Sequence, residues 1–138
     1  MRKPKAIILS IDDAAIALEA SKELLKISGY EVLTAQSGKE GLELFLSHPI
    51  DAVVLDYQMP GMNGNRVASQ MRKVKPRVPI LMFSGYNQLP LNELGCVDAF
   101  LRKGESWSTV VSTLERLLNL RLPFFARWWE EWKHQLRS

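Results

Sequence analysis

Short apolar runs alternate with amphipathic stretches along most of this chain, and that alternation constrains the fold more than any other feature. "AIILSI" (6–11) reads as a strand buried on both faces. "AAIALEASKELLKIS" (14–28) follows as a helix, with Leu18, Leu24, Leu25 and Ile27 at roughly helical spacing and Gly29 placed for a left-handed cap. "EVLTA" (31–35) is a second strand. "SGKEGLELFLSH" (37–48) is a second helix, opened by the capping-box pair Ser37 and Glu40. "DAVVLD" (51–56) is a third strand, and "GNRVASQMRKVK" (64–75) a helix that stops before Pro76. "VPILMFS" (78–84) and "AFLRK" (99–103) are the fourth and fifth strands, and "SWSTVVSTLERLLNL" (106–120) is a helix with Val110, Val111, Leu114, Leu117 and Leu118 on one side. Strands alternating with helices predict an α/β fold, a parallel sheet doubly wound with helices on both faces. The stretch between the last two strands, "GYNQLPLNELGCVD" (85–98), is hard to read as a full helix. Pro90 turns Leu89 away from helical geometry, so one or two turns around Leu91–Leu94, capped by Gly95, are expected.

In an open parallel sheet, ligands bind beyond the carboxyl ends of the strands. Asp12 and Asp13 stand at the end of the first strand, Asp56 at the third, Ser84 at the fourth and Lys103 at the fifth. Three carboxylates, a hydroxyl and an ammonium therefore converge on one edge. Close carboxylates repel one another and favour a bound cation. An oxygen-only donor set suits Mg²⁺, which keeps several waters and needs few protein carboxylates. This is equipment for phosphoryl transfer to a carboxylate. Taken singly, each residue has a plainer reading: Asp12 or Asp13 caps the first helix, Ser84 is a turn hydroxyl and Lys103 a solvated charge. Their joint placement favours a site.

Composition narrows the alternatives. A chain of 138 residues suits one domain, and a 46% hydrophobic share is that of an ordinary globular protein. The net charge is +3, and residues 121–138 carry four Lys or Arg against two Asp or Glu, so the rest is nearly neutral and no direct nucleic-acid surface is indicated. Cys96 is the only cysteine and reads as a small buried hydrophobe. His48 reads as a solvated loop residue, and Met59, Met62, Met71 and Met82 as gap-filling core or loop residues. The basic N-terminus has too short an apolar run for a signal peptide, and no stretch approaches the roughly 18 apolar residues of a membrane span. A cytoplasmic location is the expectation.

The ordered motifs "IDD" (11–13), "LDYQMPGMNG" (55–64), "LMFSG" (81–85) and "AFLRKG" (99–104) resemble the receiver domain of the two-component response-regulator family, over about residues 5–120. The resemblance implies a flavodoxin-like five-stranded sheet in the order 2-1-3-4-5. It implies that Asp56 accepts a phosphoryl group from a phosphohistidine on a sensor histidine kinase or phosphotransfer protein. Asp13 and Asp56 would hold Mg²⁺ directly, Asp12 mostly through water, and the backbone carbonyl of Gln58 would be the third protein ligand. Lys103 would pair with the phosphoryl group, Ser84 would hydrogen-bond it and move on activation, and Phe100 would be the switch aromatic. The chain departs from the family pattern in three places. Gly104 stands where the family usually has proline, so a trans peptide is expected there. Phe100 has no hydroxyl. The region between the last two strands, part of the family's output surface, is trimmed.

"RLPFFARWWEEWKHQLRS" (121–138) lies beyond the resemblance and holds three of the four tryptophans. On a helical projection Phe125, Trp128, Trp129, Trp132 and Leu136 share a stripe roughly 100° wide. A helix from about Pro123 to Leu136 is expected, as an extension 121–138 of a receiver domain 1–120. It would pack on its own domain, form a homodimer or dock a partner. A membrane-surface role suits it poorly, because its polar face carries both signs.

The reading is a stand-alone receiver that signals through protein contacts, phosphorylated on Asp56 and not an enzyme with an external substrate. One rival is a receiver-like module that never carries phosphate. Another is a Mg²⁺-dependent phosphatase with an Asp nucleophile, which would need a second Asp two positions on, where this chain has Gln58.

Overall fold

A computed structural model describes residues 5–85 and 95–119. Five strands, β1 (Ile7–Ile11), β2 (Glu31–Ala35), β3 (Ala52–Leu55), β4 (Ile80–Ser84) and β5 (Ala99–Arg102), form one parallel sheet in the order β2-β1-β3-β4-β5. The helices are α1 (Ala15–Ile27), α2 (Gly38–Ser47), α3 (Gly64–Val74) and α4 (Trp107–Asn119). No described helix is long and apolar enough to cross a membrane. The turns expected at Leu91–Leu94 and the helix expected from Pro123 to Leu136 lie outside the described residues.

The period-2 geometry of a strand divides its side chains between two cores. Leu9, Ile11, Val53, Leu55, Ile80 and Met82 face α2 and α3, where they pack on Phe45, Val67 and Met71. Ile8, Ala52, Val54 and Leu81 face the other way, onto Leu25 of α1 and onto Val110, Leu114, Leu117 and Leu118 of α4. Neighbours such as Val53 and Val54 thus serve opposite cores, which is why these strands read as continuous apolar runs.

Helix ends follow local chemistry. Ser37 Oγ accepts the Glu40 N–H at 3.1 Å, and Glu40 Oε2 accepts the N–H of Gln36. The capping pair therefore reaches one residue further back than a standard box. Gly29, at φ +100°, closes α1: its N–H bonds the Lys26 carbonyl and the Tyr30 N–H bonds that of Leu25. This is a Schellman ending. Asn63, not singled out in the sequence, caps α3 by accepting the Arg66 N–H at 3.0 Å.

Three expectations change. Neither Asp12 nor Asp13 caps α1. The N-cap is Ala14, with no side-chain cap, and Asp12 Oδ1 instead accepts the Ala14 N–H at 2.9 Å. Leu24 and Ile27 do not share the buried side of Leu18 and Leu25; they are 38% and 80% exposed. β4 begins at Ile80 and not at Val78, because the Val78 N–H closes a turn onto Lys75 and Pro79 has no N–H to give.

Long-range polar ties fix the edge of the sheet far from the strand C-termini. Arg72 on α3 donates to the carbonyls of Pro76 and Cys96 and to Asp98 Oδ2, the last at 2.6 Å. Asp98 Oδ2 also accepts the Ile80 N–H at 2.7 Å, so a single carboxylate joins α3, β4 and the entry to β5. Buried Asp51 accepts the Ile7 N–H through Oδ2 in the same way.

Candidate functional site

The site lies at the carboxyl edge of the sheet. β1 ends at Ile11 and delivers Asp12 and Asp13. β3 ends at Leu55 and delivers Asp56, whose N–H bonds the Ile11 carbonyl at 2.9 Å. Carboxylate oxygens of Asp12, Asp13 and Asp56 lie within 4.8 Å of one another. Asp12 and Asp56 are buried, and Asp13 is exposed.

Lys103 closes the cluster. Its N–H bonds the Ser84 carbonyl at 2.8 Å, which aligns it beside the end of β4. Its Nζ lies 2.9 Å from Asp12 Oδ2 and 3.3 Å from Asp56 Oδ1. All peptide bonds between described residues are trans, including Lys103–Gly104, and Gly104 takes φ +126°. That value lies outside the reach of proline, whose φ is fixed near roughly −65°. The loop that presents the lysine thus follows a path that the family's usual residue does not allow.

Electrostatics in the cluster oppose one another. Burial raises the Asp56 pKa, the neighbouring charge of Asp12 raises it further, and Lys103 offsets only part of this. For Lys103, burial alone would lower the pKa, but the hydrogen bond to Asp12 and the charges of Asp56 and Asp12 outweigh it, and the net shift is upward. The ammonium is firmly charged, and Asp56 sits where its own charge is disfavoured.

A cavity of about 590 Å³ opens over these groups, lined also by Gln58, Met59, Pro60, Ser84 and Gly85. Ser84 is buried, whereas Gln58 is exposed at the rim. Phe100 stands apart from the cavity lining, half-buried against the core shared with α2 and α3. The six polar residues expected at the site are therefore brought together, and Phe100 is not among the cavity's lining residues.

Two oxygens bound to one Mg²⁺ at roughly 2.1 Å stand at most about 4.2 Å apart. The spread of the carboxylates meets that limit after small side-chain adjustments, or with one carboxylate bound through water. The donors are hard oxygens, as Mg²⁺ requires.

Gly64, the last residue of the "LDYQMPGMNG" motif, packs against the backbone beneath the site. Its N–H bonds the Tyr57 carbonyl at 2.6 Å, and a Cβ there would press on the Asp56 carbonyl and lie 2.8 Å from Tyr57 Cα. The first residue of α3 is thus seated directly on the backbone of Asp56. The signal in the sequence is its place at the end of that motif and at a helix start, but neither says which backbone it meets.

Solved structures with this fold are numerous. A response regulator receiver domain protein from Clostridium thermocellum superposes with a TM-score of 0.78 at 32% identity, covering 83% of this chain and 94% of that one. The response regulator TrrA from Thermotoga maritima, solved in complex with Mg(2+)-BeF, gives 0.77 at 32% identity, covering 81% and 98%. TrrA has also been solved in complex with the histidine kinase ThkA. Among curated proteins, the response regulator MprA of Mycolicibacterium vanbaalenii is 32% identical over 119 residues, 84% of this chain and 52% of that protein. The chain thus spans about half the length of that relative. The family description "Response regulator receiver domain" matches residues 8–102. This chain belongs to the response-regulator receiver family, the signalling domain of two-component systems.

Proposed function

We propose that Asp56 is the phosphoacceptor of a phosphorelay and that a sensor histidine kinase or phosphotransfer protein is the donor. The observation that carries this reading is the packing of a buried Asp56 against two carboxylates and an ammonium beneath an open cavity. In the transfer, an Asp56 oxygen forms a bond to phosphorus as the N–P bond of the donor phosphohistidine breaks. The imidazole nitrogen keeps the bonding pair and takes a proton from water. Lys103, already 3.3 Å from Asp56, neutralises a phosphoryl oxygen. The Ser84 hydroxyl donates to another and moves on activation, and Phe100 repacks as the switch aromatic.

Asp12, Asp13, Asp56 and the Gln58 backbone carbonyl are the residues that would hold Mg²⁺, which supplies neutralising charge to the phosphoryl group when bound. TrrA, solved with Mg(2+)-BeF, supports this choice of ion. TrrA solved with ThkA supports a kinase partner. The reading extends to a cytoplasmic regulator, with residues 1–120 as receiver and 121–138 as an extension, in which the receiver acts through protein contacts and not by binding nucleic acid directly. The near-neutral receiver supports the last point.

Acetyl phosphate with Mg²⁺ provides the test. The parent chain gains the mass of one phosphoryl group, and Asp56→Asn does not. A stable adduct of that mass on the variant would refute the assignment.

A further inference from the structure

The edge of the sheet where the strands begin carries a cavity of its own. It opens over about 430 Å³ between the loop that enters β3 and the loop that enters β4. Asp56 and Ser84 stand at the other ends of those two strands, so this cavity and the acidic one lie at opposite edges.

Local chemistry makes its walls apolar. The Ile50 N–H turns back onto the His48 carbonyl and the Val78 N–H onto that of Lys75, so both loops use backbone donors internally. Pro49 and Pro76, which have no N–H to offer, line the cavity beside buried Ile50 and Val78. The apolar surface continues outside it. Val74, 53% exposed, precedes Lys75, and Leu46, 58% exposed, follows Phe45, whose carbonyl that lysine binds.

The polar equipment is two cations and one carboxylate. Lys75 Nζ donates to the Phe45 carbonyl at 2.6 Å and to the His48 carbonyl at 3.1 Å, and lies 5.0 Å from the centre of the Phe45 ring. These contacts hold the ammonium in place without neutralising it, and among the described residues they use two of its three donors. Arg77 is exposed and forms no ion pair among the described residues. Arg72 and Lys103, by contrast, each meet a carboxylate. Asp51, the carboxylate in the lining, is buried and accepts the Ile7 N–H at 2.8 Å, which ties it to β1. The lining therefore presents net positive charge above an apolar floor.

We propose that this cavity binds a small apolar anion, a carboxylate on an aryl or alkyl body. The head takes the remaining donor of Lys75 and the Arg77 guanidinium, whose planar fork suits a carboxylate. The body lies on Ile50 and Val78 between the two prolines. A purely polar anion gains nothing from these walls, and a neutral apolar molecule leaves the cations unanswered. Lys75 is already ordered, so binding does not have to immobilise it. The volume falls within the roughly 300–1,000 Å³ of small-molecule pockets. None of this depends on the role of Asp56.

Anilinonaphthalene sulfonate, an aryl monoanion whose fluorescence rises in apolar surroundings, is the probe. Titrated into the full chain and followed by backbone amide shifts, it is expected to bind saturably and to move Ile50, Asp51, Arg77 and Val78. Arg77→Glu should weaken binding about tenfold, the order expected for reversing one charge at a solvated contact. Lys39→Glu, the same charge change at the opposite end of α2, should leave it unchanged. Both positions are exposed, so the fold survives either change. Octanoate should displace the probe and octanol should not. Absence of saturable binding, shifts confined to other residues (121–138 included), or equal affinity in Arg77→Glu and the parent would overturn the site. Equal loss in both charge variants would reduce the effect to net charge and overturn it too. Displacement by octanol as effective as by octanoate would overturn the requirement for an anion.

Discussion

Asp56 sits where its own charge is disfavoured, and this has a measurable cost. Its raised pKa means that the folded chain holds the proton more tightly than the unfolded chain does. The stability of the metal-free protein therefore falls as pH rises from the ordinary carboxylate range through the raised value, and is lowest above it. Asp56→Asn removes a buried charge and its repulsion with Asp12, while Lys103 keeps its 2.9 Å contact with Asp12. In EDTA at neutral pH the variant should be the more stable by on the order of 1 kcal/mol, with a flatter pH dependence. Thermal melts from pH 4 to 8 check both points, and a parent at least as stable as the variant across that range would contradict the argument. The carboxylates at strand ends were legible in the sequence, since a charge closing an apolar run needs a reason. The partnership of Lys103 with Asp12 was not: those residues stand 91 positions apart, and only the sheet order brings them together.

At the scale of elements, strands were read well because each is an unbroken apolar run between breakers. β2 matches residue for residue, and α3 differs by one. Helix faces were read less well. α1 has leucines and isoleucines on both sides, so spacing alone does not say which side meets the sheet, and Leu24 and Ile27 prove to lie on the outer one. Close approaches were not legible either, because a missing Cβ leaves no pattern. Gly64 shows what such an approach does. In Gly64→Ala the added methyl meets the Asp56 backbone, and either α3 or the acidic loop must move. A loss of about 1–3 kcal/mol is expected, the usual range for overpacking. Asp56 should also be labelled more slowly by acetyl phosphate at a temperature where the variant is fully folded. Unchanged labelling would mean that the loop absorbs the methyl without moving the carboxylate.

For the whole molecule, the site exists only when the sheet does. Its groups come from the ends of β1, β3, β4 and β5, and no single segment holds them all. A cation bound there stabilises the folded state alone, by about 2.7 kcal/mol at a hundredfold excess over its dissociation constant. Mg²⁺ should therefore raise the melting temperature of the parent. Asp13→Ala should lose more of that rise than Asp12→Ala, because Asp12 already gives its oxygens to Lys103 and the Ala14 N–H while Asp13 is exposed. Equal losses would show that the two carboxylates are interchangeable toward the ion.

The turn after Lys103 also bears on how this chain can change over generations. A backbone at φ +126° is closed to nearly every residue with a β-carbon. The side chains of Arg102 and Glu105 around it are exposed and open to substitution, but position 104 is not. Point substitution is thus a poor route to a new presentation of the lysine: proline would require the turn to be rebuilt, and other residues would strain it. Descendants that hold their lysine differently should differ in the length or wholesale replacement of this loop, so the glycine records a structural commitment that one codon change cannot easily reverse.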